Sequence, residues 1–268
     1  MAIGRLSHTI RRGLQVYVDL YLKRRTPTII YTPGRVGSMA LYHALDACGV
    51  FVLQAHVLNP DSPRVDNQPG TAAFAYRHII RPRRPANIIT LVRDPVALMI
   101  SDFFPKLRWL SAVEKPHEQL SLEELCDLFN TRYFDEGRHL EKLEWFDREF
   151  EALLGIDVYA YPQPGEKGVV QFQQDPYAVL ILKTELDDSE KERAVSNFLS
   201  LKTFKMMRTN VGEQKSYGKV YKRFKQQIVV NPAHLDTIYA SQYAQHFFTQ
   251  AERDTLRIRW GSASVTIP

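Results

Sequence analysis

The sequence predicts an α/β fold in which a central, mainly parallel sheet is covered by helices on both faces. Short apolar runs suited to buried strands alternate with helical patterns, which is the arrangement of parallel strands joined by crossover helices. Two of those runs end in abrupt strand–loop–helix junctions, at residues 33–38 and 93–95. The 268 residues, 44% hydrophobic and 24% charged, have ordinary globular composition. We read residues 1–26 as a basic amphipathic helix and 27–268 as one α/β domain.

Residues 28–32 (TIIYT) form a β-branched run that stops at Pro33 and Gly34, and residues 38–47 then read as a helix with Leu41 and Leu45 on one face. A second apolar run follows at 50–53, a polar loop at 59–70 and a helical pattern at 71–80. The most strand-like segment is 87–92 (NIITLV), and Pro95 is placed to begin the next helix. Helices are expected at 121–129 and 135–154, the latter with Leu140, Leu143, Phe146, Phe150 and Leu153 as an apolar stripe. Residues 177–183 (YAVLILK) read as a further buried strand, and Asp188, Glu190 and Glu192 suit the first turn of a helix. Short helices are expected from 232 to 256.

The chain has 35 Lys and Arg against 30 Asp and Glu, a net charge of +5 that fits an anionic ligand or surface. Cys48 and Cys126 lie outside any metal-ligand spacing, so neither a disulfide scaffold nor a structural zinc is expected. No stretch approaches the roughly 18 apolar residues of a membrane span, and no secretory signal is visible at the N-terminus. A cytoplasmic protein is the expectation. Ile3, Leu6, Ile10, Leu14, Tyr17 and Tyr21 recur near helical spacing with Arg5, Arg11 and Arg12 between them. Such a helix either docks on its own domain or lies on an anionic surface such as the inner membrane. The sequence carries no signal of oligomeric state and no nucleic-acid-binding motif.

Two loops carry the chemistry. Between a buried strand and a helix, the segment Pro33-Gly34-Arg35-Val36-Gly37-Ser38-Met39 directs backbone N–H groups and a helix dipole to one point. Gly37 allows close approach, Ser38 adds a hydroxyl donor and Arg35 a fixed charge that forks onto two oxygens. The triphosphate-binding spacing G-x-x-x-x-G-K-[ST] is missing. In the second loop, Ser101 follows Arg93 by eight residues, on the helix that Pro95 starts. Arg93 and Ser101 are thereby able to hold one phosphate, while Asp94 reads as the helix cap.

These two loops together resemble the sulfotransferases that use 3′-phosphoadenosine-5′-phosphosulfate (PAPS), whose signatures are [K/R]-x-G-[S/T] between strand and helix and, later, R-[D/N]-P with a serine eight residues beyond the arginine. The resemblance implies a P-loop-like sulfotransferase fold and transfer of a sulfuryl group to an acceptor hydroxyl. It implies that Arg35, Val36, Gly37, Ser38, Met39 and Ala40 hold the 5′-phosphosulfate, and Arg93 and Ser101 the 3′-phosphate, with 3′-phosphoadenosine-5′-phosphate (PAP) as product. GIDVY at 155–159, LKTEL at 182–186 and the stretch 243–248 are similar to a subgroup of capsular polysaccharide synthesis proteins, which points to a glycan or polysaccharide acceptor, with a small-molecule acceptor such as a phenol, a lipid or a peptide tyrosine as the alternatives. The family's C-terminal R-K-G-x-x-G-D-W-K block is replaced by Lys215, Ser216, Tyr217, Gly218 and Lys219 with Arg223. Tyr217 and Trp109 fall near the site in chain order, and Tyr217 is taken as a nucleotide contact.

The chemistry implied is an in-line displacement that positioning and electrostatics accelerate, without a metal. Arg35 would neutralise the leaving phosphate, since an arginine does not donate a proton at neutral pH. His56, just after the second strand at the end where open α/β sheets bind ligands, is the candidate base; Ala-His-Val is similar to the histidine stretch of uronyl 2-O-sulfotransferases. Its alternative is a structural histidine at a strand end. His78 and Glu185 are reserve bases, and His43 reads as a packed or solvated helical residue. Two other functions compete: a nucleotide-dependent small-molecule kinase and a non-catalytic binding protein on the same fold.

Overall fold

Strands buried on both faces read as continuous apolar runs rather than alternating ones, and that is how β1 (Thr28–Tyr31), β2 (Val52–Ala55), β3 (Ala86–Val92) and β5 (Tyr177–Lys183) are built. In the computed structural model, which describes residues 13–62, 69–107, 120–134, 136–165, 167–207 and 217–262, these strands and β4 (Val169–Gln174) form one five-stranded sheet. The order is β2-β1-β3-β5-β4; the first four are parallel and β4 pairs antiparallel to β5. This is the α/β architecture expected, with one addition. The edge strand β4, with Gln171, Gln173 and Gln174 along it, lacks the apolar run that marks the others.

Alternate strand residues feed two separate cores. Ile29, Tyr31, Leu53, Ile88, Val179 and Ile181 enter one, while Ile30, Val52, Ile89, Leu91, Leu180 and Leu182 enter the other. Helix α1 (Ser38–Ala47) covers the second core with Leu41, Ala44 and Leu45. Helix α2 (Pro69–Ala75), continued as a π-helical turn over Tyr76–Ile80, covers the first with Ala72, Ala75 and Ile79. Helix α3 (Pro95–Phe103) gives Val96, Met99, Ile100 and Phe103 to that core, so the helices after β1 and β3 lie largely on opposite faces. Between β1 and β3 the order reverses, and the crevice beyond their carboxyl ends is where such sheets bind ligands.

The remaining helices are α4 (Leu122–Leu128), which has a Ser121–Glu124 capping box, then α5 (Asp188–Leu199), α6 (Gly218–Gln227), α7 (Pro232–Ala240), α8 (Gln242–Phe247) and α9 (Gln250–Gly261). The single helix expected over 135–154 is not formed. Gly137 takes a left-handed φ of 66°, a short helix spans Leu140–Leu143, and a π-helical turn follows at Phe146–Glu151 before Gly155 ends the segment at φ 68°. A π turn carries an extra residue and rotates the side chains that follow. Here Glu149 is buried beside Phe146 and Phe150, where it takes the Tyr31 hydroxyl at 2.5 Å and the Leu58 N–H at 2.9 Å.

The N-terminal helix also departs from expectation. Residues 1–12, which hold Ile3, Leu6 and Ile10, lie outside the described residues, and 13–17 are helical before a π turn at Val18–Leu22. The segment docks through Val16 and Leu20, while Leu14 stays exposed and Tyr17 and Tyr21, partly exposed, reach His78 through their hydroxyls. No helix among the described residues is long and apolar enough to cross a membrane.

Next to Ser101 on α3, the buried Asp102 pairs with Lys106 at 2.5 Å and Lys142 at 3.1 Å. Burial alone would raise its pKa, but the two lysines outweigh it and hold the carboxyl at about 2. The folded value lies below the unfolded one, so the stabilisation is present above pH ~4 and lost as the pH falls towards 2. Asp102→Asn is expected to cost about 3 kcal/mol at neutral pH, because buried Lys142 loses a counter-ion. Urea unfolding of both proteins from pH 5 to about 2 checks the assignment: the variant's stability should fall less steeply with acid, and equal slopes would contradict it.

Candidate functional site

The loop after β1 is shaped by two left-handed residues. Arg35 has φ 77° and Gly37 φ 79°, on either side of the buried Val36. For arginine that conformation is uncommon and costs energy, whereas glycine adopts it freely. Gly37 is the N-cap of α1 and offers no capping side chain, so nothing of its own shields the positive end of the ten-residue helix.

Arg93 leaves the end of β3 towards this loop. Its Nη1 donates to the Arg35 carbonyl at 2.7 Å. The backbone of Arg93 is clamped by the buried Tyr243 hydroxyl, which accepts from the Arg93 N–H at 2.9 Å and donates to its C=O at 2.8 Å. Burial holds the Tyr243 pKa well above that of free tyrosine, which keeps the proton it donates. One residue on, the Asp94 N–H donates to Glu185 Oε1 at 2.8 Å. The Asp94 carboxylate caps α3 through the Val96 N–H at 3.1 Å, as expected, and also accepts from the Tyr239 hydroxyl at 2.9 Å and Trp260 Nε1 at 2.7 Å. Complete burial pushes the Asp94 pKa up, against those hydrogen bonds.

A cavity of about 470 Å³ opens beyond the carboxyl ends of β1, β3 and β5. Val36, Gly37 and Ala40 form one wall, Arg93 and Ala97 the next, and Thr184 and Glu185 the floor beyond β5. Its far side mixes Lys191, Lys225 and Arg259 with Met206 and Leu256. Lys191 donates to the Thr184 carbonyl at 2.8 Å, and burial lowers its pKa against the pull of Asp188 and Glu185. The lining thus combines four cations with the carboxylates of Asp94, Glu185 and Asp188 and with apolar side chains, and the volume is within the usual range for cofactor sites.

The expected site residues are distributed as follows. Val36, Gly37, Ala40 and Arg93 line the cavity. Arg35 meets Arg93 through its carbonyl. Ser38 is buried, with its hydroxyl accepting from Gln54 Nε2 at 3.3 Å, and Met39 packs at the edge of the second core. Ser101 lies one turn beyond Ala97 on the same face of α3. Three residues further, Phe104 stacks on Tyr217 at 5.7 Å. Burial raises the Tyr217 pKa and the nearby charge of Arg35 opposes the rise; Ser101, Tyr217 and Arg35 are not among the residues that line the cavity.

His56 lies behind the loop: its Nδ1 meets the Thr32 carbonyl at 2.9 Å and its Nε2 meets Gln54 Nε2 at 2.8 Å. With Nδ1–H donated to Thr32, Nε2 is the basic nitrogen, and the Gln54 amide donates to it. Trp145 Nε1 holds the His56 carbonyl at 2.9 Å. Glu185 is at the cavity, His43 faces solvent, and His78 is far from the site, between Tyr17 and Tyr21 ahead of β3. Trp109, Lys215 and Ser216 lie outside the described residues.

Residues 124–249, just under half of the chain, match the profile of a family described as "Putative capsular polysaccharide synthesis protein". The match takes in β4, β5, Glu185, Tyr239 and Tyr243, and begins after the loop at 33–39 and Arg93. Comparison with curated proteins gives no match, and comparison with solved structures gives none. Tyr243→Phe is expected to destabilise the protein by about 1–2 kcal/mol, because the Arg93 backbone loses both hydrogen bonds. Urea unfolding measures the loss, and a wild-type midpoint would show that the clamp contributes nothing.

Proposed function

We propose that this protein is a sulfotransferase with a P-loop-like sulfotransferase fold, moving a sulfuryl group from PAPS to a hydroxyl of a glycan. The observation that carries the reading is the reach of Arg93 to the Arg35 carbonyl, which brings two anion-binding features from separate strand ends to one cavity. Size and charge support the reading: the cavity volume is in the range of nucleotide sites, and Arg93, Lys191, Lys225 and Arg259 outnumber the carboxylates Asp94, Glu185 and Asp188 in its lining. When bound, PAPS supplies the activated sulfuryl group. The half-chain match to a capsular polysaccharide family supports a glycan as the acceptor.

In this reading the amino end of α1 and the backbone from Val36 to Ala40 bind the 5′ end of the nucleotide. Arg35 neutralises charge on the leaving phosphate, and Arg93 with Ser101 holds the 3′-phosphate. Tyr217 lies against the nucleotide on the Phe104 side. His56 Nε2 takes the acceptor proton, and Gln54, now donating to that nitrogen, exchanges its hydrogen bond for the acceptor hydroxyl.

Calorimetric titration of PAP into wild type and Arg93→Ala, with Mg-ATP as the comparison ligand, tests the assignment. PAP binding that falls at least tenfold in the variant and is absent for Mg-ATP is expected, a loss of about 1.4 kcal/mol or more. Binding of Mg-ATP in preference to PAP would replace the transferase reading with the kinase one. With an acceptor in hand, His56→Ala should lower kcat by about a hundredfold or more at unchanged PAP affinity, and an unchanged kcat would remove His56 from the mechanism.

A further inference from the structure

We propose that the face built from the N-terminal helix and the segment 74–84 docks the protein onto a lipid bilayer carrying anionic headgroups. The inference stands apart from the transferase reading, because none of its residues touches the cavity. Val16, Asp19 and Leu20 turn inward, which leaves Leu14 66%, Tyr17 47%, Tyr21 38% and Leu22 76% exposed. Half of the eight large hydrophobic side chains exposed among the described residues therefore fall within nine positions, too dense a group to be ordinary surface scatter.

The charge of the two segments is almost all of one sign, although Arg83 reaches the carbonyl of Asp175, which lies outside them. Segments 13–26 and 69–86 contain Lys23, Arg24, Arg25, Arg77, Arg81, Arg83 and Arg84, and their single acid is Asp19. Asp19 is buried and already paired with Lys23 at 3.0 Å and Arg25 at 3.3 Å. Arg84 lies over the Tyr21 ring at 4.7 Å. An apolar patch rimmed by arginines and tyrosines matches the layered chemistry of a membrane interface, with headgroup phosphates outside and acyl chains beneath.

The face is also preformed. His78 meets the Tyr17 hydroxyl at 3.1 Å and the Tyr21 hydroxyl at 2.8 Å, and Phe74 packs edge-on to Tyr17 at 5.3 Å, so helix and segment form one surface. A preformed surface gives up little conformational entropy on docking.

The test is flotation of the full chain with vesicles of phosphatidylglycerol and, separately, phosphatidylcholine, at low and high salt. Binding to phosphatidylglycerol alone, weakened by salt, is expected. Arg77→Gln with Arg81→Gln should weaken it roughly twenty-fivefold, at about fivefold per charge near the surface, and Leu22→Gln by about tenfold through lost apolar insertion. Both changes are at exposed positions, and urea unfolding of the variants separates a lost surface from a lost fold. No binding, equal binding to both lipids, or undiminished binding by the variants overturns the proposal. So does a dimer in sedimentation velocity that Leu22→Gln dissolves without any vesicle binding, which assigns the face to a second copy of the chain.

Discussion

The backbone at residues 93–94 is the point on which the site depends. The chain turns sharply after β3, and the polar groups of that turn need partners if Arg93 is to hold one direction. Tyr243 takes both backbone groups of Arg93, Glu185 takes the Asp94 N–H, and Tyr239 with Trp260 takes the Asp94 carboxylate. Those partners come from α7, α8, α9 and the end of β5. The C-terminal third therefore acts as a frame for the two residues that follow β3. A small displacement of α8 would be felt at Arg93, some 150 positions away in sequence.

The sheet contributes a second constraint. Two cores fed by alternate residues need helices on both faces, and order 2-1-3 sends the chain after β1 and β3 to opposite sides. The crevice at that reversal follows from topology, and the sequence has only to furnish it with Gly37 and Arg93. Lys183 fastens the neighbouring strand end: fully buried, it binds the Glu252 carboxylate at 2.7 Å and 2.8 Å and joins β5 to the first turn of α9.

The parallel strands, α1, α3 and the Asp94 cap were legible because local patterns dictate them: β-branched runs, Pro at a first helical position, an acceptor just before it. The segment 135–154 was not, since a stripe such as Leu140, Leu143, Phe146 and Phe150 looks the same whether the backbone is continuous or broken by Gly137 and a π turn. The N-terminal stripe misled for a related reason, because periodicity gives an apolar face but not which face the domain uses. The placement of Arg93 and of the loop at 33–39 at strand ends was readable from spacing. Their supports, Tyr243, Tyr239, Trp260 and Gln54, were hidden, because each acts through a long-range hydrogen bond that leaves no local pattern.

The basic aromatic face and the cavity occupy opposite ends of the same strands: Lys23 to Arg25 precede β1 and Arg81 to Arg84 precede β3, while the cavity lies past the carboxyl ends. Seven residues of β3 separate them, roughly 23 Å of extended chain. A protein resting on lipid by that face presents its cavity upward, at a fixed height above the headgroups. A ligand would then have to enter the cavity from the side away from the lipid, with the thickness of the sheet between it and the headgroups.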